Sequence, residues 1–467
     1  MLLIGGGGRE HALALAIARS PRLGTLYATH TENPGIAALA TPVDVPVNIR
    51  EIYRLQQFNV KHDIGLVVIG PEEPLNEGFA DKLATGRTKV FGPRAAAARL
   101  EGDKAWAKQL MRAASIPTAE ARVFTSADAA RAYVESREQD DPALGRLFAE
   151  AAKVNDPEQR RRLIETRTRD SRELQAAFAV KRPDLPVIKA AGLAKGKGVV
   201  VPATLAEALA AIDDIMVRKV HGEAGRQVVI EERLDGPEVS VLALCDGKSL
   251  YVLPPCQDHK RLRDGDEGPN TGGMGAFCPA RTIDEALMTR IEREVLVPTL
   301  DALRREEIEF TGVLYAGLML THAGPKVLEF NTRFGDPECQ PLMARFAGDI
   351  LDLFEGVCDG RLEQMDPAWD ERPACCVVLA SEGYPEKPRT GVVIRGLDAA
   401  GSKPGVTITH AGTKRGADGS IVTAGGRVLG VTALGQTLAD ARSRAYDAVG
   451  AISFAGMQFR TDIAAGQ

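Results

Sequence analysis

The chain has 467 residues, of which 44% are hydrophobic and 26% are charged, and its formal net charge is −5. These values are ordinary for a globular protein of about three domains, and the acidic balance argues against a nucleic-acid partner. No segment is apolar enough to span a bilayer, the first apolar run is too short for a signal peptide, and the seven cysteines lack metal-binding spacing. We therefore expect reduced cysteines and a cytoplasmic protein without a membrane partner.

The first hundred residues alternate between short apolar runs and helical patterns. The predicted strands cover 2–4, 26–29, 65–70 and 89–92, and the predicted helices cover 11–20, 49–58 and 74–84. This order predicts a doubly wound parallel sheet, whose ligands bind at the carboxyl ends of the strands. Gly5–Gly8 and Gly70-Pro71-Glu72 follow two of these strands. The first run is no dinucleotide fingerprint, because Glu10 stands at its sixth position, but backbone amides at a helix start suit a phosphate.

The next segment carries lysines in a strand–turn–strand pattern. Asp103 predicts a helix N-cap, Thr204 with Glu207 predicts a capping box, and helices are expected at about 126–137 and in the charged stretch up to 180. The glycine turn of AGLAKGKGV (191–199) could present amides, Lys195 and Lys197 to an anion, or be a mobile surface hairpin. Lys189 points inward from an apolar strand and needs an anionic partner.

Acidic residues mark the end of one strand and the start of another. Glu231 and Glu232 end the strand predicted at 227–234, and Glu238 begins a hairpin that turns at Asp246-Gly247. Carboxylates there could accept from an adenine amino group and from ribose hydroxyls, although a solvated acidic edge explains them equally well.

A second hairpin ends in KVLEFNTRFGDPE (326–338). Strand alternation predicts that Val327, Glu329 and Asn331 share one face, with Leu328 and Phe330 toward the core. A carboxylate beside an amide oxygen suits Mg²⁺, and Arg333 could hold an anion, whereas a random polar edge strand is the alternative. A single helix is expected from about 338, with an apolar stripe of Leu342, Met343, Phe346, Ile350 and Leu353. Beyond 366, short strands and a helix at 437–450 predict an α+β domain.

Long motifs identify the chain as resembling the phosphoribosylamine–glycine ligases (glycinamide ribonucleotide synthetases), ATP-grasp enzymes of purine synthesis. The resemblance covers nearly the whole chain. The matching motifs are GGREHA (7–12), GPE (70–72), EGDKAWAK (101–108), GKGV (196–199), EERLDGPEVS (231–240), QDHKR (257–261), GDEGPNTGGMG (265–275), EFNTRFGDPE (329–338), HAGTK (410–414) and GGRVLGVTALG (425–435).

The resemblance implies the reaction of ATP, glycine and 5-phosphoribosylamine to ADP, phosphate and glycinamide ribonucleotide through a glycyl phosphate. It implies ATP contacts at Lys104, Lys189, Lys197, Glu231, Glu232, Leu234 and Glu238, and Mg²⁺ or Mn²⁺ at Glu329 and Asn331. It implies catalytic roles for Asp258, Lys260, Arg261 and Arg333. It implies substrate contacts at Gly8, Arg9, Glu10, Pro71, Glu72, Asn270, Thr271, Gly272, Gly273 and Asp336.

The resemblance also implies a domain plan and a small set of partners. An N-terminal substrate-binding α/β domain is expected at 1–101, an ATP-grasp central domain at 102–122 and 235–365, a lid domain at 123–234, and the α+β domain at 366–467. We expect one activity, no partner beyond the substrates, and a monomer, with a dimer as the alternative. Two alternatives for function remain: another ATP-grasp ligase with a different acid or amine, and a nucleotide-binding regulator that has lost the chemistry.

Three segments depart from the family pattern. Ala191 replaces an acid and Lys195 a small residue, so the turn is more basic than usual, and HTENPGIA (30–37) carries no assigned contacts. About forty extra residues lie at 138–182. Asp141-Pro142 and Asp156-Pro157 each predict a helix start there, which indicates a helical hairpin broken near Asn155. Its apolar stripes are Leu144, Leu147, Phe148 and Ala151, then Leu163, Arg167, Leu174 and Phe178. The hairpin is expected either to pack on the lid as an ornament or to affect lid closure or assembly.

Overall fold

The structure is a computed structural model that describes residues 1–138, 140–194 and 197–466. The backbone divides into two compact units: the first holds residues 1–101, 113–117 and 237 onward, and the second holds 102–112 and 118–236. Within the described ranges, no helix has the length and apolar character needed to cross a membrane. The finer division into four domains stays a prediction.

A five-stranded parallel sheet forms the first hundred residues, in the order β3-β2-β1-β4-β5. Its strands are β1 (Leu2–Ile4), β2 (Tyr27–Ala28), β3 (Thr41–Pro42), β4 (Leu66–Ile69) and β5 (Lys89–Phe91). The helices are α1 (Gly8–Ala18), α2 (Pro34–Ala37), α3 (Ile52–Lys61), α4 (Glu72–Asn76), α5 (Phe79–Leu83) and α6 (Ala95–Gly102). The predicted doubly wound sheet is confirmed. The helix expected at 74–84 is two helices, because Gly78 adopts a φ of 85°.

The second unit is built on an antiparallel sheet in the order β6-β9-β7-β8. Its elements are α7 (Lys104–Ala113), β6 (Ala121–Phe124), α8 (Ala127–Glu135), α9 (Pro142–Ala151), α10 (Pro157–Asp170), α11 (Arg172–Ala179), β7 (Val187–Ala190), β8 (Val199–Val200), α12 (Leu205–Ile212) and β9 (Val228–Glu231). Asp103 caps α7 by accepting from the Trp106 N–H at 3.0 Å, as predicted. The capping box at α12 is incomplete, because Glu207 accepts from the Ala203 N–H instead of that of Thr204.

The extra segment at 138–182 folds as three helices, α9 to α11. Asp141 and Asp156 cap α9 and α10, as predicted. The predicted two-helix hairpin is wrong in one respect, because the backbone breaks again at Ser171, which caps α11 by accepting from the Leu174 N–H. The α9 stripe is buried in the core of the second unit, whereas Ile164, not Leu163, packs from α10.

The central part of the first unit is an antiparallel sheet in the order β11-β10-β16-β17. The chain here forms β10 (Glu238–Asp246), β11 (Leu250–Val252), β12 (Gln257–Asp258), β13 (Arg261–Arg263), β14 (Glu267–Asn270), β15 (Gly275–Cys278), α13 (Glu285–Ile291), α14 (Val297–Arg305), β16 (Thr311–Thr321), β17 (Gly324–Asn331), α15 (Cys339–Arg345) and α16 (Ile350–Cys358). Both predicted hairpins, β10–β11 and β16–β17, are present.

Two predictions in this region are wrong in detail. Glu329 pairs with Gly317, but Val327 pairs with Leu318, so Leu328 is an extra residue and β17 has a bulge. The bulge places Val327 on the opposite face from Glu329, while Glu329 and Asn331 still share a face. The helix expected from 338 is two helices, because the Ala347 N–H donates to Ala368 O and Asp349 caps α16.

The last part of the first unit is the predicted α+β domain. It contains β18 (Ala374–Ala380), α17 (Leu397–Gly401), β19 (Val406–His410), β20 (Thr413–Arg415), β21 (Ile421–Thr423), β22 (Arg427–Leu434) and α18 (Leu438–Val449). Its main sheet has the order β12-β15-β18-β22-β19. The glycine-rich loop between β12 and β15 therefore arises from the sheet of the C-terminal domain. All seven cysteines are free thiols.

Candidate active site

The glycine run after β1 is organised by Glu10. The Glu10 carboxylate accepts from the Gly7 N–H at 2.6 Å and from Arg9 Nε at 2.7 Å. A Cβ added at Gly70 would lie 2.1 Å from Glu10 Oε1, so a side chain where β4 ends would displace the Glu10 carboxylate. Arg9 also donates to Phe334 O at 3.0 Å. The carboxyl ends of β1 and β4 thus meet around one buried ion pair, and α1 begins there at Gly8.

Arg333 lies between two carboxylates. Its Nε lies 3.3 Å from Glu72 Oε2, and its Nη2 lies 2.9 Å from Glu101 Oε1. Burial alone would raise the pKa of Glu72, but the Arg333 and Arg9 guanidinium groups lower that pKa to about 2. Burial outweighs Arg333 at Glu101 and raises the pKa of that group. Arg9 on α1 and Arg333 after β17 thus place two guanidinium groups among the carboxylates of Glu10, Glu72 and Glu101.

Lys260 lies between two acidic residues of the central sheet. Its Nζ is 3.1 Å from Glu238 Oε2 and 3.6 Å from Glu329 Oε1. Burial would lower the pKa of Lys260, but the two carboxylates raise the pKa well above its ordinary value. The predicted catalytic lysine, a predicted ATP ligand and a predicted metal ligand are therefore neighbours.

Asp258 contributes a buried carboxyl group with an unsatisfied atom. Its Oδ1 has no hydrogen-bond partner among the described residues. Burial and the nearby Glu338 raise the pKa of Asp258 well above its ordinary range. Glu338 itself accepts from Tyr315 at 2.8 Å and from Ser240 at 3.0 Å. The unsatisfied Asp258 Oδ1 suits a ligand that donates a hydrogen bond.

The loop from Arg261 to Gly273 is a structured hairpin followed by a turn. Arg261 Nη1 donates to Gly268 O at 2.7 Å, so its side chain supports β13 and β14. The Thr271 N–H and hydroxyl both donate to Lys260 O at 2.8 Å. The Gly273 N–H donates to Thr271 Oγ1 at 3.0 Å. Arg261 and Asn270 pair across the strands.

The predicted metal ligands have a suitable arrangement for a hard cation. Glu329 and Asn331 present oxygen atoms from one face of β17, beyond the bulge. The Lys260 ammonium already lies between Glu329 and Glu238, which indicates a position that favours positive charge. No group of three or more His, Cys, Asp or Glu residues forms a metal cluster within the described ranges. The residues therefore fit Mg²⁺ or Mn²⁺ that keeps water and phosphate oxygens as its other ligands.

In the second unit, two buried lysines share one carboxylate. Lys189 Nζ lies 2.9 Å from Glu231 Oε2, and Lys108 Nζ lies 3.3 Å from Glu231 Oε1. Lys108 also donates to Thr118 Oγ1 at 2.7 Å. Burial lowers the pKa of Lys108 to about 8 despite Glu231. The anionic partner expected for Lys189 is thus Glu231.

The other predicted ATP residues of this unit lie around the same sheet. The Lys104 N–H donates to Ala191 O at 2.8 Å, and Glu232 pairs with Glu120 through its backbone N–H at 2.9 Å. Lys197 is exposed and Leu234 is half-buried. Ala191 packs in a small apolar cluster with Ala105 and Val229, where the family pattern has an acid. The Lys195 departure lies outside the described residues.

Several site residues were not singled out from the sequence. Lys108 and Glu101 lie in the EGDKAWAK motif (101–108). A charged residue on the inward face of a helix could have marked each of them as a candidate site residue. Glu338 ends the RFGDPE segment (333–338), and a charge facing inward could have marked it in the same way. Arg427 donates to Asp336 Oδ2 at 3.0 Å from the GGRV motif, whose chemistry gave no hint of a partner. Asn33, in the unassigned HTENPGIA segment, donates to Gly6 O and His410 O at 2.8 and 2.9 Å.

Comparisons with known proteins agree along the whole chain. Sequence models of the phosphoribosylglycinamide synthetase N domain, ATP-grasp (A) domain and C domain match residues 1–101, 161–339 and 374–466. The phosphoribosylamine–glycine ligase of Rhodopirellula baltica is 46% identical over 467 residues, covering 99% of this chain and 96% of that relative. The Brucella melitensis enzyme of the same name is 43% identical over 463 residues, covering 99% and 97%.

A solved structure supports the same assignment. The phosphoribosylamine–glycine ligase of Thermotoga maritima is 30% identical and superposes with a TM-score of 0.76, covering 99% of each chain. The fold, the three domain matches and the full-length relatives point to one family. The chain belongs to the phosphoribosylglycinamide synthetase family.

Proposed function

We propose that the chain catalyses the ATP-dependent ligation of glycine to 5-phosphoribosylamine, forming glycinamide ribonucleotide, ADP and phosphate in de novo purine (IMP) biosynthesis. A glycine carboxylate oxygen attacks the γ-phosphorus of ATP, ADP leaves, and glycyl phosphate forms. The amine of phosphoribosylamine then attacks the acyl carbon, and phosphate leaves. The observation that carries this proposal is the full-length match to ligases of this name, with each functional motif present in this chain.

The first unit supplies the groups for both small substrates. Gly8, Arg9, Glu10, Pro71 and Glu72 bind phosphoribosylamine at the carboxyl ends of β1 and β4, where Arg9 supplies positive charge for its phosphate. Because the Glu10 carboxylate is already bonded to Gly7 and Arg9, its part in this binding is indirect: it holds the Arg9 guanidinium in place.

The loop residues handle the reacting groups. Asp258, with its unsatisfied Oδ1, accepts a hydrogen bond from a substrate amine. Lys260 neutralises the developing negative charge of the acyl phosphate, and Arg333 does so from the β17 side. Arg261 holds the hairpin, and Asn270, Thr271, Gly272, Gly273 and Asp336 line the substrate side of the loop.

The ATP contacts fall into two sets, one for the triphosphate and one for adenine and ribose. Lys104, Lys189 and Lys197 bind the triphosphate, and Glu231, Glu232, Leu234 and Glu238 bind adenine and ribose. Glu231 is fixed by Lys189 and Lys108, so its orientation is set before nucleotide binds. Glu329 and Asn331 would hold Mg²⁺ or Mn²⁺, which would neutralise phosphate charge.

One assay tests this function and its alternatives. ADP release is measured with ATP and Mg²⁺, with both glycine and phosphoribosylamine present and with each omitted in turn. We expect release only with both, together with glycinamide ribonucleotide. Release with a different acid or amine alone would indicate another ATP-grasp ligase, and nucleotide binding without turnover would indicate a regulator.

A further inference from the structure

Both polar groups of the Gly272 residue are bonded to the C-terminal domain. The Gly272 N–H donates to the Tyr384 hydroxyl at 3.0 Å. The Gly272 carbonyl accepts from Arg427 Nη1 at 2.6 Å. Gly272 itself is exposed, so these two bonds, not burial, fix the position of the turn.

Arg427 ties the same turn to the segment after β17. Its Nη1 also donates to Asp336 O at 2.5 Å, and its Nη2 donates to Asp336 Oδ2 at 3.0 Å. Asp336 Oδ1 accepts from Gln340 Nε2 at 2.8 Å, so the carboxylate is held on both sides. Burial would raise the pKa of Asp336, but Arg427 and Arg9 lower it, so the ion pair stays charged.

The turn is pressed closely against Asp258. Gly273 has a φ of 112°, and a Cβ there would lie 2.4 Å from Pro337 Cδ and 2.7 Å from Asp258 Oδ1. A Cβ at Gly272 would lie 3.0 Å from Arg427 Cζ. A small shift of this turn would therefore change the surroundings of the unsatisfied Asp258 oxygen.

Hydrogen bonds and close packing join the segment that carries Tyr384 to the segment that carries Arg427. Ser381 donates from its backbone N–H to Gly426 O at 2.8 Å and from its hydroxyl to Gly425 O at 2.9 Å. The Tyr384 ring lies against Gly426, where a Cβ would be 2.2 Å from Cδ2 of the ring. Because Gly426 has no side chain, the backbone can pass directly under the Tyr384 ring. This path places Arg427 at the start of β22.

We propose that Tyr384 and Arg427 are positioning residues for the ligation step, which hold the Thr271–Gly273 turn against Asp258. They touch no reacting atom and act through the turn. The amides of Gly272 and Gly273 are occupied by Tyr384 and Thr271, so the turn serves the site by its position beside Asp258 instead of by donating those amides to a ligand. This inference rests on the proposed function, because it assigns Asp258 to a substrate amine.

The test compares Tyr384→Phe and Arg427→Gln with two matched controls. Tyr251→Phe removes a hydroxyl that accepts from Trp369 Nε1, and Arg444→Gln removes the exposed pair with Asp440. We expect Tyr384→Phe to lower kcat/KM for glycine and phosphoribosylamine about 3- to 10-fold, and Arg427→Gln about 10- to 100-fold, since the second loses charged hydrogen bonds. KM for ATP should stay within about 2-fold of the parent, and both controls should match the parent.

A second readout separates positioning from general destabilisation. We expect Tyr384→Phe to release more ADP per glycinamide ribonucleotide than the parent, because a displaced turn leaves glycyl phosphate open to water. Equal behaviour of Tyr384→Phe and Tyr251→Phe would overturn the inference, as would an equal rise in KM for ATP. A parent protein that releases no ADP with both substrates would instead overturn the proposed function.

Discussion

Lys260 Nζ lies 3.6 Å from Glu329 Oε1, so a half-buried ammonium neighbours the carboxylate best suited to a metal ion. Two cations that contact one carboxylate repel each other, and further anions reduce this repulsion. Glu238, at 3.1 Å from the same ammonium, supplies one such anion from β10. If Glu329 and Asn331 held Mg²⁺ or Mn²⁺, the phosphate oxygens of ATP would supply further negative charge beside the Lys260 ammonium.

We expect Glu329→Gln to reduce turnover by roughly 10²–10³, because an amide oxygen neutralises a metal ion less well than a carboxylate. The rate is measured against Mg²⁺ concentration, and the loss should be largest at limiting Mg²⁺. Glu306→Gln, on the exposed end of α14, is the control and should behave as the parent. Parent-like turnover of Glu329→Gln at limiting Mg²⁺ would remove Glu329 from the metal site.

Gly273→Ala should cost both stability and activity, whereas Gly265→Ala should cost only the backbone strain. Gly273 has a φ of 112° and meets Pro337 and Asp258, while Gly265 has a φ of 67° with no heavy atom within 4 Å of an added Cβ. Backbone strain alone costs about 1–3 kcal/mol. We expect the activity loss to appear at Gly273 alone, as measured by initial rates and thermal denaturation. Similar activity losses at both positions would contradict a steric role for the turn.

Three histidines with lowered pKa values should make the protein sensitive to acid. Burial lowers the pKa of His11 to about 3, and burial lowers the pKa of both His259 and His410 to about 4. Their neutral forms are favoured in the folded protein, whereas the unfolded chain binds protons near pH 6.5. Stability is thus complete above about pH 6.5 and falls, by roughly 1.4 kcal/mol per pH unit for each histidine, down to the folded pKa values.

The measurement is the urea midpoint between pH 7.5 and 5. His11→Gln removes one such histidine. The loss of unfolding free energy with falling pH should then be smaller by the contribution of one histidine, roughly 1.4 kcal/mol per pH unit. His322→Gln, in the exposed turn between β16 and β17, should leave the decline unchanged. A His11→Gln variant as acid-sensitive as the parent would show that His11 does not set this response.

The extra segment contributes to the core of the second unit. Leu147 is 4% exposed within that core, whereas Leu163 on α10 is only half-buried. We expect Leu147→Ala to cost about 2–5 kcal/mol of unfolding free energy and Leu163→Ala less than about 1 kcal/mol. Thermal denaturation checks the difference. Equal and small effects would mean that α9 is a surface ornament.

Replacing residues 140–180 by a short Gly/Ser turn extends this test. The replacement also leaves the buried Glu135 without Arg160, whose Nη2 lies 2.5 Å from its Oε2. We expect a lower melting temperature and a lost helical signal in circular dichroism. Unchanged melting with an altered sedimentation mass would instead indicate a subunit interface, and unchanged melting with an altered KM for ATP would indicate lid control.

The sequence was sufficient for the parallel sheet and for the caps at Asp103, Asp141 and Asp156, because these depend on local pattern. The faces of β17 were not predictable in full, because the bulge at Leu328 depends on register with β16. Likewise, the break before α16 arises from a hydrogen bond between Ala347 and Ala368, which no apolar stripe encodes. Local signals thus fail where a distant strand or loop decides the backbone.

The contacts of the candidate site also include some that the sequence predicted and some that it did not. Lys189 was expected to have an anionic partner, and Glu231 fills that role 42 positions later in the chain. Tyr384 and Arg427 gave no such expectation, since both bond to backbone groups of the Gly272 turn, which any residue type could offer, and the Asp336 partner of Arg427 lies 91 positions away in the chain. The assigned roles of the site residues rest on motif resemblance and stay predictions until the variants are measured.

The contact between His11 and His410 has a consequence for how the chain matures. The His410 N–H donates to His11 Nδ1 at 2.8 Å across 399 positions of sequence. A ribosome adding about 5–20 residues per second needs roughly 20–80 s between the two. During that interval, the α1 surface that β19 will cover has no native partner yet translated. We therefore expect slowed translation of the last hundred codons to lengthen the exposure of this surface and to raise the dependence of the nascent chain on chaperones.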